Sequence, residues 1–213
     1  MMKKILIWVA LILGLVGATW GMAQLASSPS GQPTTLANAV SGSDWIKGKI
    51  DAKVVLVEYS DLQCQACAAY APLVNRIIEE FGDRIAFVYR HFPLPYHQQA
   101  GLAARAAEAA GKQDKFWEMA DLIFVNREDW AEKSSARETF VSYAKLLNLD
   151  MNQFGTDLDS AAVKKEVEND YLSGAAIVKG TPTFFLNGER IENNPQGYDS
   201  FRELILQKIN QNP

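Results

Sequence analysis

The composition of the chain narrows its possible functions before any motif is considered. Its 213 residues suit one globular domain with extensions, and the proportions of 48% hydrophobic and 22% charged residues are ordinary for such a domain. The formal net charge of −4 provides no basic surface of the kind that binds nucleic acid, so we expect no nucleic-acid partner.

The first predicted element is an apolar N-terminal segment, residues 1–26. Lys3 and Lys4 precede an unbroken apolar run over 5–18, which continues weakly to Ala23. The shorter run suits the core of a signal peptide, and the longer one would just span a bilayer as an uncleaved transmembrane helix. We favour the anchor and leave cleavage open. Both interpretations keep the lysines in the cytoplasm and place the rest outside, in the periplasm or at the exterior of the cell envelope.

Residues 27–43 follow and are predicted to form a flexible linker. They are rich in Ser, Pro, Thr, Gly and Ala and carry no charge, a composition typical of spacers. The alternative is an ordered arm that packs on the domain, for which the sequence shows no apolar periodicity.

The segment 44–95 predicts a βαβ unit. Lys53–Tyr59 is nearly all apolar and β-branched, as in a strand that is covered on both faces. Ala68–Phe81 has one apolar helical face and ends at Gly82, and Arg84–Phe92 has the composition of a second strand. We therefore expect an α/β fold in which the turn after the first strand lies at the carboxyl edge of the sheet.

Residues 96–178 are predicted to be a helical insertion, because strand signals are scarce there. Small alanine faces allow helices to pack closely, and Phe116 and Trp117 are expected in the core of the insertion. The helical stretches are Ala100–Ala110, Phe116–Phe124, Ala136–Leu147 and Leu158–Tyr171.

The last segment, 179–213, returns to strand character. Thr183–Leu186 and Glu189–Glu192 are predicted strands, joined by the two-residue hairpin turn Asn187–Gly188. Asp199 can cap a final helix that has one apolar face. The predicted order is βαβ, a helical insertion, and ββα.

The two cysteines of the chain stand three residues apart, in the sequence Cys64-Gln65-Ala66-Cys67. At the start of a helix, backbone N–H groups and the helix dipole stabilise a thiolate, which suits a reversible disulfide. The same spacing could also supply half of a metal site, or have no role.

A zinc site is disfavoured by what the rest of the chain lacks. Zinc ribbons need a second pair of Cys or His ligands, and His91 and His97 are the two histidines of the chain. We expect these histidines to pack or to form hydrogen bonds, and we expect no metal and no cofactor besides the redox-active disulfide.

Three further features stand at defined places relative to the dithiol. Glu58 is an acid within an apolar strand, six residues before Cys64; its alternative is an edge glutamate that points to solvent. Thr181–Pro182 comes just before a predicted strand, where a trans proline would also be allowed. Pro72 follows Cys67 by five residues and would kink a helix that contained it.

With the dithiol, these features make the chain resemble the DsbA-like thiol–disulfide oxidoreductases, from about residue 44 to the C-terminus. The resemblance implies a thioredoxin fold, in which a central mixed sheet is flanked by helices, with an inserted helical domain. It makes Cys64 the exposed nucleophile and Cys67 the buried resolving thiol. The helix position agrees, because the more N-terminal sulfur meets more unpaired N–H groups and should have the lower pKa. Glu58 would be buried and take the proton from Cys67.

The resemblance also implies a substrate site. The Thr181–Pro182 bond would be cis, with Pro182 lying against the dithiol and Thr181 offering backbone groups to an extended substrate. Gln65 and Ala66 complete the predicted substrate-binding residues, although they replace the Pro-His pair of the strongest bacterial oxidases. Gln63 stands where thioredoxins carry Trp, which argues against a plain thioredoxin.

These expectations combine into one function with open alternatives. We expect an extracytoplasmic thiol–disulfide oxidoreductase that introduces disulfides into thiol-containing exported proteins. The resemblance implies that a membrane quinone-linked partner reoxidises it. A disulfide reductase or isomerase on the same scaffold, with a reducing partner, is the first alternative. A non-redox thioredoxin-like binding or chaperone module is the second.

Overall fold

The structure is a computed structural model that describes residues 35–36 and 38–212. The predicted signal or anchor segment, 1–26, lies outside the described residues. The described residues belong to one compact unit. In the part of the chain that the structure describes, no helix is both long enough and apolar enough to cross a membrane.

A five-stranded mixed sheet forms the centre of this unit, in the order β1-β3-β2-β4-β5. The central pair β2–β3 is parallel, and β1–β3, β2–β4 and β4–β5 are antiparallel. Both central strands are almost wholly buried, which explains their nearly continuous apolar sequences. The strands are β1 Trp45–Gly48, β2 Val54–Ser60, β3 Ile85–His91, β4 Thr183–Leu186 and β5 Glu189–Arg190.

The first helix, α1, runs from Gln65 to Phe81 and contains Pro72, as predicted. It begins three residues before the predicted start at Ala68, because the Cys64 carbonyl already accepts a hydrogen bond from the Ala68 N–H at 3.1 Å. The predicted start missed this turn because its residues lack an apolar periodicity. The early start places the dithiol on the helix.

All the regular secondary structure between β3 and β4 is helical. The alanine-rich helix α2 is almost completely buried, and its small side chains let the neighbouring helices approach closely. The predicted helix from Leu158 is interrupted at Ser160, whose hydroxyl caps a new helix by accepting from the Val163 N–H at 3.1 Å. The helices are α2 Ala100–Gly111, α3 Phe116–Val125, a 3-10 turn Arg127–Asp129, α4 Ala136–Leu146, α5 Met151–Asp159 and α6 Ala161–Gly174.

The C-terminal part contains the predicted hairpin and helix with two differences. Asn187 and Gly188 have φ angles of 50° and 84°, as the predicted two-residue turn requires. The return strand β5 is only two residues long, and the helix α7 spans Tyr198–Gln211. The predicted cap at Asp199 is wrong, because Gly197 turns the chain into the helix at a φ of 91° and leaves Asp199 inside the first turn.

The described part of the predicted linker is packed on the domain. The Leu36 N–H donates to the Gly188 carbonyl at 2.7 Å, and Thr35 forms a β-bridge with Glu189. The buried guanidinium of Arg90 donates to the carbonyls of Asn38 and Ala39, each at 3.1 Å. The prediction of a flexible spacer is therefore wrong for these residues, and the ordered arm describes them.

The predicted fold class is confirmed: a mixed sheet flanked by helices, with a helical insertion between its two halves. The strand β1 was not predicted, and it adds an antiparallel edge beside β3. The division into the ranges 44–95, 96–178 and 179–213 stays a prediction.

Candidate active site

The dithiol lies where β2 turns into α1. Cys64 is the N-cap of the helix, with φ of −70° and ψ of 125°, and Cys67 lies in the first turn. Both cysteines are free thiols. An N-cap residue sits beside the helix N–H groups that have no partner within the helix, so the strand-to-helix turn itself presents donors to the Cys64 sulfur.

The environment of Cys64 favours its thiolate. Its pKa is lowered to about 5, chiefly by the hydrogen bond from the Cys67 thiol and also by the backbone N–H groups of Ala66 and Cys67, with burial acting against them. The residue is only 8% exposed, so the expectation of an exposed nucleophile is wrong in degree. The cover comes partly from the Thr181 carbonyl, to which the Cys64 thiol donates at 3.4 Å.

Cys67 is in the opposite situation. Its side chain is fully buried, and burial together with the neighbouring Cys64 and Glu58 raises its pKa well above the ordinary value. The Asp61 N–H points at its sulfur at 3.5 Å. The pKa of Cys64 is therefore the lower of the two, as the positions of the cysteines on the helix predict.

Glu58 lies on the buried central strand β2, between β3 and β4, and is 4% exposed. The alternative of a solvent-facing edge glutamate is therefore wrong. Burial raises its pKa to about 7, and the charge of Cys64 acts in the same direction. The acid thus changes its protonation near neutral pH, close to the thiol that has to lose a proton.

The loop before β4 meets the dithiol from the other side. The Thr181–Pro182 peptide bond is cis, as predicted. Asn194 holds this loop in place, since its side-chain amide donates to the Pro182 carbonyl at 2.9 Å. Gln65 and Ala66, the two residues that directly follow Cys64, are exposed. Of the residues predicted to contact substrate, Thr181 contacts the sulfur of Cys64.

Sequence reasoning missed a hydrogen-bond network beneath the dithiol. The buried carboxylate of Asp61 accepts from the Gln63 N–H at 2.7 Å, from the Leu94 N–H at 2.8 Å and from the His97 ring at 2.7 Å. The sequence did contain one signal for this network. Asp61 is an acid that stands directly after a buried strand and three residues before the cysteine at the start of the helix. The network ties the turn that carries Cys64 to the loop after β3.

The two histidines form hydrogen bonds, as predicted. His97 bonds to Asp61, and His91 bonds through Nε2 to Glu108 at 3.1 Å. Over residues 35–36 and 38–212, no group of three or more His, Cys, Asp or Glu side chains is placed to hold a metal ion.

Comparison with known sequences places this geometry in a family. The sequence model of thioredoxin matches residues 41–207. The chain belongs to the thioredoxin family. The resemblance to DsbA-like proteins is confirmed at the level of the fold, since the solved structures that share the fold include a protein titled alpha-DsbA1.

Two of those structures cover nearly the whole folded part. Oxidised BdbD from Bacillus subtilis has a TM-score of 0.71 and 24% identity, over 83% of this chain and 98% of BdbD. The alpha-DsbA1 of Wolbachia pipientis has a TM-score of 0.69 and 22% identity, over 81% of this chain and 94% of its own. At these identities the likeness establishes the fold.

Curated relatives share more of the sequence but are much longer. The Na(+)/H(+) antiporter NhaA of Herminiimonas arsenicoxydans is 40% identical over 152 residues, which are 71% of this chain and 23% of the antiporter. The Na(+)/H(+) antiporter NhaA 3 of Salinispora tropica is 32% identical over 216 residues, or 93% of this chain and 32% of that protein. The chain thus spans about a quarter to a third of the length of these relatives.

Proposed function

We propose that the protein is an extracytoplasmic thiol–disulfide oxidoreductase that introduces disulfide bonds into exported proteins. The observation that carries this proposal is the contrast between the two thiols: the Cys64 pKa is lowered to about 5, and the Cys67 pKa is raised. A stable Cys64 thiolate stabilises the reduced enzyme, so the disulfide form accepts electrons readily.

The reaction begins on the oxidised enzyme. A substrate thiolate attacks the Cys64 sulfur, the Cys64–Cys67 bond breaks, and Cys67 leaves as a thiolate. The substrate's second thiolate then attacks the substrate's first sulfur, which is bonded to Cys64 in the mixed disulfide. This step releases Cys64 as a thiolate. The substrate dithiol is oxidised to a disulfide, and the enzyme disulfide is reduced to the dithiol.

Glu58 supports the buried step of this cycle. When Cys67 leaves, it becomes a charge in a buried site, and a proton from Glu58 neutralises it. In the reverse direction Glu58 takes the proton from Cys67 as that thiol attacks. A carboxyl with a pKa of about 7 can serve both directions near neutral pH.

Substrate approach and reoxidation complete the proposal. An extended substrate segment would lie beside the cis-proline loop, where Thr181 presents its carbonyl and Gln65 and Ala66 are exposed. A membrane quinone-linked partner would return the dithiol to the disulfide. The N-terminal apolar segment would direct the domain out of the cytoplasm, either as an anchor or as a cleaved signal. The relatives named as antiporters are much longer proteins, so their names do not describe this chain by itself. The proposal therefore rests on the dithiol.

The decisive experiment is a redox titration of the purified protein against glutathione, combined with oxidation of a reduced test protein. We expect a potential between about −120 and −220 mV, above the roughly −270 mV of thioredoxin. Cys64→Ser should abolish exchange, and Cys67→Ser should accumulate mixed disulfides. A potential at or below that of thioredoxin would favour the reductase. An ordinary Cys64 pKa without oxidation of the test protein would favour the binding module.

The role of Glu58 can be measured in the step that releases a mixed disulfide. Glu58→Gln should slow the attack of Cys67 on glutathione bound at Cys64 by about 100-fold, since general acid–base catalysis typically contributes that much. Glu108→Gln is the matched control, because Glu108 is equally buried at 4% but contacts neither sulfur. Equal slowing in both variants would contradict the shuttle.

A further inference from the structure

Gln63, the residue directly before Cys64, is buried at 3% exposure and has a partner for each of its polar groups. Its backbone N–H donates to Asp61 at 2.7 Å. Its side-chain amide donates to the Ala131 carbonyl at 2.6 Å and accepts from the Gln99 N–H at 2.7 Å. Its backbone carbonyl accepts from the Arg127 guanidinium. A buried side chain satisfied at both ends holds a single conformation.

The partners of Gln63 come from two separate parts of the helical insertion. Gln99 immediately precedes α2, whereas Arg127 and Ala131 lie between α3 and α4. Gln63 therefore joins both parts to the turn that carries the dithiol. An apolar residue of the same length could fill the space but would leave the Ala131 carbonyl and the Gln99 N–H without this partner.

We infer that Gln63 is a positioning residue, through which the helical insertion sets the reactivity and the redox potential of the dithiol. Cys64 has the N-cap conformation, with φ of −70° and ψ of 125°, which keeps its side chain near the unpaired N–H groups at the start of the helix. The N–H groups of Ala66 and Cys67 are among those that lower the pKa of its thiol. Gln63 fixes the peptide unit that leads into that conformation. The inference rests on the proposed function only in that the dithiol cycles between its reduced and oxidised forms.

The test compares Gln63→Met, which keeps the length and removes the two side-chain hydrogen bonds, with the wild type of the full chain. We expect the pH midpoint of Cys64 alkylation to rise by about one unit. The equilibrium constant for oxidation of glutathione should then fall about tenfold, which corresponds to roughly 30 mV for a two-electron couple. The two shifts should agree, since both measure the loss of thiolate stabilisation.

Further variants separate positioning from general stability. Arg127→Met should shift both quantities in the same direction, and Arg127→Lys, which restores a donor, should recover most of the change. These variants leave the Gln63 side chain intact, so they serve if Gln63→Met fails to fold. Trp130→Phe is the control, because it removes the buried bond from Trp130 Nε1 to the Ile123 carbonyl at 2.9 Å without touching Gln63.

Two results would overturn the inference. The first is an unchanged potential and alkylation profile in Gln63→Met and Arg127→Met, with only the melting temperature lowered. The second is an equal shift in Trp130→Phe, which would assign the effect to general loosening of this segment. Both readouts are properties of the dithiol itself, so they remain measurable even if the wild type fails to oxidise a test protein and the proposed function fails.

Discussion

Two equally buried glutamates of this domain behave in opposite ways. Glu58 beneath the dithiol and Glu108 on α2 are each 4% exposed. Burial raises the pKa of Glu58 to about 7, and the nearby Cys64 charge adds to the rise. Burial also acts to raise the pKa of Glu108, but hydrogen bonds and charge from His91, with a further bond from Trp45, outweigh it and lower that pKa.

The difference shows that the partners of a buried acid decide its role. Glu108 accepts from Trp45 Nε1 at 2.7 Å and bonds to His91 Nε2 at 3.1 Å, so its carboxylate joins β1, β3 and α2. The charge of Glu58 raises the pKa of Cys67, and the charge of the Cys64 thiolate raises the pKa of Glu58. The first arrangement stabilises the fold, and the second keeps a proton available for chemistry.

The largest expected effect comes from making Glu58 permanently neutral. The folded pKa of about 7 lies above the ordinary 4.5, so the stability that protonated Glu58 provides is fully present below pH 4.5 and is lost as the pH rises through 7. Glu58→Gln should therefore stabilise the reduced protein by about 3 kcal/mol at pH 9. Urea unfolding under reducing conditions measures this. The gain should vanish near pH 4, and a gain that is independent of pH would contradict the assignment.

The same substitution at Glu108 should have the opposite sign. The pKa of Glu108 is lower in the folded protein than its ordinary value. Its carboxylate therefore provides stability that is fully present at a pH above the ordinary pKa and is lost as the pH falls through the folded-state pKa. Glu108→Gln should therefore destabilise the protein at pH 7 by about 2 kcal/mol, the scale of hydrogen bonds to a charged group. The difference in the free energy of unfolding between Glu108→Gln and the wild type should narrow below about pH 4.5. A difference that widens in acid would contradict this role of Glu108.

The smallest effect tests one arm of the Glu108 cluster. Trp45→Phe removes the 2.7 Å bond to Glu108 but can keep a ring on Phe116, against which the Trp45 ring stacks at 4.3 Å. We expect the free energy of unfolding to fall by about 1 kcal/mol. This loss is small for a hydrogen bond to a charged group, because Trp45 is only partly buried. Denaturant unfolding measures it, and the alkylation profile of Cys64 should not change. A shift in that profile would mean that the two regions are coupled.

The sequence predicted the parts of the site that depend on local pattern. The dithiol spacing, the acid within an apolar strand, and the proline before β4 can all be recognised from neighbouring residues. The strand β1 could not, because four residues are too few for a periodicity and its partner Tyr89 lies far along the chain. Register with a distant strand, rather than local composition, makes it a strand.

The network around Gln63 was beyond the sequence for the same physical reason. The bond from Gln63 to Ala131 joins residues that are 68 positions apart, and the bond to Gln99 spans 36. A glutamine before a cysteine has no composition signal, since the partners of its side chain are backbone groups. Only the packing of the insertion against the sheet brings them together.

The arm clamped by Arg90 decides where an expressed fragment of this protein should begin. Arg90 is 3% exposed, and besides Asp44 it donates to the carbonyls of Asn38 and Ala39. A fragment that began at Asp44, the predicted domain boundary, would remove two of the acceptors of this buried cation and leave only its bonds to Tyr59 and Asp44. For crystallisation or assay, the first residue should therefore precede Thr35, so that the arm keeps its bridge to Glu189.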